Sequence, residues 1–199
     1  MELNRVVVTG MGVISPIGNN LNEYWNSLIN GVSGADHITL YDASKFKTKI
    51  ACEVKGFDVT QFIDRKEARK MDRFVQFGIV ASDMAMIDAG LNKDNINPDR
   101  VGVIVGSGIG GVQTFQQEVM DFARGDGNPR FTPFFIPKMI CDIAAGQISI
   151  RHNLRGPNFA VMSACATGTG PRTSCAFGIV APIALTSASC SLIPGIATT

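Results

Sequence analysis

The sequence predicts an α/β fold, a sheet covered by helices. Apolar, β-branched runs at 3–9, 100–105 and 158–164 read as strands, and segments with buried or helical spacing at 21–30, 65–89, 112–123 and 138–150 fall between them. Such alternation leads to a layered α/β sheet. Composition agrees: with 199 residues, 45% hydrophobic and 18% charged, the chain has enough apolar material for one domain and a substantial core. A net charge of +1 gives no global reason to expect nucleic acid or an anionic membrane as partner. Five cysteines, an odd number with no CxxC pair, argue against a disulfide framework or a zinc site. The N-terminus lacks the long apolar core of a signal peptide, so a cytoplasmic location is expected.

The first strand, 3–9, is valine-rich and runs into the glycine-rich turn Gly10-Met11-Gly12 with Ser15-Pro16-Ile17-Gly18. Asn19 or Asn20 can cap a helix over 21–30, where Leu21, Trp25 and Leu28 form an apolar stripe, and Gly31 stops it. Residues 31–48 read as loop and 49–54 as an edge strand. The longest helix signal covers 65–89, with Met71, Phe74, Val75, Ile79, Met84 and Ile87 near helical period and Gly90 as C-cap. Its start is basic, and Lys66, Arg69, Lys70 and Arg73 share one face by i, i+3, i+4, i+7 spacing. Cations at a helix N-terminus oppose the dipole, which adds some weight to a role for them, but from the residues alone a solvated face with Glu67 and Asp72 as partners is the stronger reading.

The strand over 100–105 is followed by Gly106-Ser107-Gly108-Ile109-Gly110-Gly111 and a helix over 112–123. This matches GxGxxG between strand and helix, the dinucleotide fingerprint. That fingerprint wants an acidic residue roughly 20 positions on, at the end of the next strand. Here the nearby candidate is Asp126, in the loop Arg124-Gly125-Asp126-Gly127, so cofactor binding is set aside as the weaker alternative. Residues 125–137 form a Gly/Pro-bounded loop in which Phe134 and Phe135 read as a pocket wall, a subunit contact or plain packing. A helix over 138–150 and a turn over 151–157 deliver the chain to the strand before Cys165.

That strand, Asn158-Phe159-Ala160-Val161, ends near Cys165, and the small residues after it could open a helix. A thiol there meets unpaired N–H groups and a positive dipole end, which favour thiolate. A strand-to-helix corner also exposes one side chain above a sheet. Taken alone, Cys165 reads first as a small buried residue, and the rest of the chain has to make it an exception. Beyond Thr169 the character changes, with no Asp or Glu from 143 onward and no charged residue from 173 onward. The expectation is a fold-forming segment over 1–169 and an aberrant uncharged tail over 170–199, arising from a frameshift or a wrong gene end. Its prolines and serines weaken a membrane-span reading.

Taken together, Arg5-Val6-Val7-Val8-Thr9-Gly10, Arg65-Lys66-Glu67-Ala68-Arg69-Lys70-Met71-Asp72, the 106–111 glycine loop, Pro133-Phe134-Phe135-Ile136-Pro137, Leu154-Arg155-Gly156-Pro157-Asn158 and Ser163-Ala164-Cys165-Ala166-Thr167-Gly168 resemble the N-terminal half of the β-ketoacyl-acyl carrier protein synthases, the chain-elongating type II (3-oxoacyl-ACP synthase II) class. The resemblance implies a thiolase-like fold, of which this chain holds about the first half. It implies that Cys165 takes an acyl group from acyl carrier protein and that decarboxylated malonyl-ACP then attacks the thioester. It further implies that Lys66, Arg69 and Lys70 dock the acidic carrier protein. Ile109 would belong to the acyl pocket, and Phe134 and Phe135 would lie near a homodimer interface and shape the partner's pocket. No cofactor or metal is implied, because the phosphopantetheine arm arrives with the substrate.

The family's second half carries two catalytic histidines, an essential lysine and the other oxyanion donor. This chain has only His37 and His152, neither in such a motif, so the polypeptide as written is expected to perform no condensation. Two readings compete with a condensing enzyme: a nucleotide-dependent oxidoreductase using the glycine loop, and a non-catalytic carrier-protein-binding module. Cys165 argues against the second, since a decoy has no use for a nucleophile.

Overall fold

The first helix begins where local capping chemistry places it. In the computed structural model, which describes residues 7–167 and 179–181, Asn20 is extended and its side chain accepts the Glu23 N–H. Helix α1 then spans Leu21–Ile29, and the chain leaves it at Gly31, whose φ is +63°. The described residues leave its apolar stripe uncovered: Trp25 is 60% exposed and Leu28 48%. Only 7–9 of the expected first strand are described. They are irregular, with Val7 and Val8 exposed, and no strand lies alongside them among the described residues. An extended segment without a ladder partner gains no sheet hydrogen bonds.

A small antiparallel pair follows, β1 (Asp36–His37) with β2 (Ile50–Ala51). The expected loop over 31–48 thus contains a strand, and the expected strand over 49–54 shrinks to two residues. Beyond Ala51 the chain turns to side-chain bonds: Glu53 accepts from the Thr39 and Leu40 N–H groups, and Lys55 pairs with Asp36 at 2.6 Å.

The expected helix over 65–89 is two helices. Asp64 caps the short α2 (Arg65–Ala68), accepting from the Lys66 N–H, and the chain re-enters helix as α3 (Arg73–Asp88) behind a second cap, Asp72. The basic residues therefore do not crowd the start of one long helix against its dipole, and the shared face of Lys66, Arg69, Lys70 and Arg73 is broken at Asp72. Arg73 leaves that group altogether: its guanidinium bonds the Val54 carbonyl at 3.2 Å and lies over the Phe77 ring. Helix α3 is buried over much of its circumference, through Val75, Phe77, Ile79, Val80, Ala81 and Ala85, although Ile87 is exposed. A Cβ on Gly12 would lie 2.0 Å from the Ala81 carbonyl oxygen, so the Gly10–Gly12 turn can rest on this helix only as glycine.

The main sheet is parallel, in the order β4 (Asn158–Val161), β3 (Val103–Gly106), β5 (Ile179–Ala181). Strand β3 is fully buried, as a central parallel strand must be. Strand β4 is an edge strand among the described residues and stays half-open, with Phe159 41% exposed. Between β3 and β4 run α4 (Val112–Arg124), α5 (Phe135–Met139) and α6 (Ile143–His152). The expected helix over 138–150 is replaced by α5 and α6, because Ile140 is extended (ψ 141°) and the Met139 carbonyl bonds the Gly111 N–H at 3.0 Å. Helix α6 packs on α3, β3 and β4. Val75, Ile79, Val103, Val105, Ala144 and Ile148 form the centre of the core. Each such valine or isoleucine contributes about 1.5–3 kcal/mol on burial. Of the segment 170–199, all but Ile179–Ala181 lies outside the described residues. No helix among the described residues is long and apolar enough to cross a membrane.

Candidate active site

The parallel register Val103↔Asn158 to Gly106↔Val161 brings β3 and β4 to an end at the same sheet edge. Two loops consequently leave that edge side by side: the glycine loop after β3 and the cysteine turn after β4. The Ser107 N–H donates to the Val161 carbonyl at 3.3 Å and ties one to the other. Crevices outside the carboxyl ends of parallel strands are where α/β proteins bind ligands.

The cysteine turn is compact. Residues Ala164–Ala166 form one 3-10 turn, in which the Ala166 N–H donates to the Ser163 carbonyl at 3.0 Å and the Thr167 N–H to the Ala164 carbonyl at 3.1 Å. Ala164 has φ +48°, in the left-handed region that non-glycine residues avoid. The expected helix opening at Cys165 is, over the described residues, this turn. Cys165 sits at its middle.

The glycine loop is built to meet its own chain. A Cβ on Gly110, whose φ is +86°, would lie 2.3 Å from the Met139 carbonyl oxygen. The buried Ser107 Oγ accepts the Gly110 N–H at 3.1 Å, and Cys141 packs beneath with its Sγ 2.9 Å from that same Cβ position. Burial pushes the Cys141 thiol up from its ordinary value, which disfavours the thiolate. Ile109, at the tip, is 44% exposed. The N-terminus of α4 has no cap on its own chain segment, since Gly111 precedes it. Asp72 supplies one from afar: Oδ2 accepts the Thr114 N–H at 3.0 Å and its hydroxyl at 2.6 Å, while Oδ1 accepts the Phe74 N–H at 3.3 Å. A single buried carboxyl group therefore caps both α3 and α4. It occupies the helix end where a dinucleotide pyrophosphate would otherwise lie.

Residues 3–170 match the β-ketoacyl synthase N-terminal domain family. The chain belongs to the β-ketoacyl synthase family. Over 168 residues it is 47% identical to 3-oxoacyl-[acyl-carrier-protein] synthase 2 of Staphylococcus aureus (strain N315), covering 83% of this chain and 40% of that protein. The same enzyme of Coxiella burnetii is 45% identical over 168 residues, 84% of this chain and 40% of that one. The chain thus spans 40% of the length of these relatives. Among solved structures, a β-ketoacyl synthase from Burkholderia phymatum is similar at TM-score 0.72 and 27% identity over 86% of this chain and 42% of that one. A type II PKS acyl-carrier protein in complex with its ketosynthase bound to the hexaketide is similar at TM-score 0.63 and 27% identity, over 81% and 42%. The thiolase-like α/β fold expected from the sequence is the fold these ketosynthases share with this chain.

Within this β-ketoacyl synthase domain, the sequence-expected residues fall into two groups. Cys165 and Ile109 sit on the two loops of one sheet edge. Lys66, Arg69 and Lys70 are exposed on α2 and the turn after it, and Lys70 pairs with Glu67 at 2.7 Å. Lys70 and Phe134 line one cavity of about 170 Å³ together with Met71, Val75 and Ile143, so the basic patch and the Phe134 segment adjoin. Phe135 turns the other way, stacking on Phe115 and Phe131 with centroids 6.3 and 5.5 Å apart. Neither histidine approaches the cysteine turn through its contacts: His37 is exposed in β1, and His152 lies 3.0 Å from Asp83 on α3. Sequence reasoning missed Asp72, Ser107 and Thr167. The Asp72–Thr114 bond joins residues far apart in the chain, and the short-range Ser107–Gly110 and Thr167–Ser163 bonds form only once their turns are in place.

Proposed function

We propose that this chain supplies the nucleophile-bearing domain of a 3-oxoacyl-ACP synthase, in which Cys165 accepts an acyl group from acyl carrier protein for decarboxylative condensation with malonyl-ACP. The observation that carries the reading is the pairing of the Cys165 turn with the Ile109 loop at one sheet edge. The Cys165 sulfur attacks the acyl-carrier thioester; the new C–S bond forms as the old one breaks, and the carrier's phosphopantetheine thiol leaves with a proton. Loss of carbon dioxide from malonyl-ACP leaves a carbanion, which attacks the acyl-Cys165 carbonyl and expels the Cys165 thiolate as 3-oxoacyl-ACP is released. Splitting the reaction through a covalent thioester replaces one hard step by two easier ones. The Cys165 backbone N–H is the oxyanion donor that this chain contributes.

Lys66, Arg69 and Lys70 are assigned to carrier-protein docking. Their exposure suits a role in encounter and orientation, and ketosynthase–carrier complexes exist among the structural relatives. Ile109 is assigned to the acyl pocket. Phe134 and Phe135 are assigned to a homodimer contact that shapes the partner's pocket; Phe134, Ile136 and the Phe115 and Phe131 rings on which Phe135 stacks are exposed. The cofactor is carried in by the substrate. The Asp72 carboxyl at the α4 N-terminus and the packing of Gly110 on Met139 favour this reading over nucleotide binding at the glycine loop. The step these residues account for is acyl transfer. Incubation with radiolabelled acyl-ACP is expected to leave a hydroxylamine-labile label on the chain, lost in Cys165→Ala. An unlabelled wild-type chain would contradict the proposal.

A further inference from the structure

The turn that carries Cys165 has an unusual conformation, and one buried side chain holds it. Asn153 and Ala164 are the two non-glycine residues with positive φ among the described residues. Asn153 is accounted for: asparagine tolerates this region, and it closes the C-terminus of α6. Alanine has no such tolerance, so Ala164 at φ +48° must be held there by its surroundings. Thr167 is completely buried although it is polar, and its Oγ1 accepts the Ser163 N–H at 2.9 Å. Valine would fill the same volume; the hydroxyl is what the site uses. The hydrogen bond spans the turn, from the residue before Ala164 to the residue after Ala166. It adds a side-chain clasp to the backbone bonds from Ala166 and Thr167 to Ser163 and Ala164.

We propose that Thr167 is a positioning residue for Cys165, its hydroxyl clamping Ser163 so that Ala164 stays left-handed and the Ala164–Cys165 peptide keeps one direction. That peptide sets where the Cys165 N–H points. The role rests on the reading of Cys165 as nucleophile, and the experiment separates the two. Iodoacetamide alkylation of each cysteine in the 199-residue chain is followed by peptide mass spectrometry across the thiol titration range, with Cys52 and Cys141 as internal references. Wild-type Cys165 is expected to react faster than both references. Thr167→Val is expected to slow Cys165 by about tenfold and to raise the pH at which it becomes reactive, while leaving the references unchanged. Thr167→Ser, which keeps the hydroxyl, is expected to restore the wild-type rate and pH profile.

Fast wild-type Cys165 with an unchanged Thr167→Val overturns the positioning role alone. So does Thr167→Ser slowing as much as Thr167→Val. A wild-type Cys165 no faster than Cys52 and Cys141 overturns the nucleophile reading and this role with it. Should Thr167→Val unfold, seen as acceleration of both references, Ala164→Val tests the same clamp with Thr167 intact. A β-branched residue resists positive φ, so Cys165 is expected to slow there too. An unchanged rate in Ala164→Val overturns the proposal.

Discussion

Asp83 sits on α3 between two residues from the end of α6. Arg151 reaches it with Nη2 at 2.7 Å and Nε at 2.8 Å, and His152 Nε2 lies 3.0 Å away. The Arg151 guanidinium also donates to the Phe62 carbonyl, so this cluster ties three parts of the chain together. Burial pushes the Asp83 carboxyl up, but the bonds from His152 and Arg151 outweigh it and hold the group below its ordinary value. A lowered carboxyl favours the folded state above the unfolded value, near 3.9, and that contribution is lost as pH falls through the folded value. Urea midpoints are therefore predicted to drop as the pH goes below about 4. Asp83→Asn is predicted to lower stability at neutral pH by about 1–2 kcal/mol and to flatten the acid slope. An unchanged slope in Asp83→Asn would contradict this. The sequence made His152 a structural or surface residue; its partner Asp83, on a distant helix, was not readable from local pattern.

At the scale of elements, caps decide where helices start, and long-range contacts decide where they break. The Asn20 cap, the Gly31 and Gly90 stops and the helix after the glycine loop were all legible, because each depends on neighbours in the chain. The breaks at 69–72 and 140–142 were not. The first depends on Asp72 bonding Thr114, the second on Met139 bonding Gly111, and both partners lie far off in sequence. Asp72, just after the turn that carries Arg69 and Lys70, joins the start of α3 to the start of α4 after the Ile109 loop. Its removal uncaps two helices and leaves the Thr114 N–H and hydroxyl without their acceptor. Asp72→Ala is predicted to cost about 2–4 kcal/mol in urea denaturation, with Thr114→Val costing about 1 kcal/mol and adding little in the Asp72→Ala background. Full additivity of the pair would contradict a shared bond.

At the scale of the whole molecule, alternation of strands and helices specified an α/β domain, and the parallel β4-β3-β5 sheet is its realisation. The relatives explain why the motifs occur in order over residues 3–170. The glycine loop after β3 and the cysteine turn after β4 were legible as strand-ending corners, because glycine-rich and small-residue segments after apolar strands are local signals. Their juxtaposition was not, since it follows from which strands pair and in which register. Nor was Thr167, whose hydroxyl gains meaning only once the turn around Ala164 is formed. The proposed function requires the acyl group to settle at this one sheet edge, and peptide mass spectrometry of the chain after reaction with acyl-ACP reads out where it goes. A single thioester adduct is expected on the peptide containing Cys165; an adduct on Cys52, Cys141, Cys175 or Cys190 instead, or none at all, would rule the proposal out.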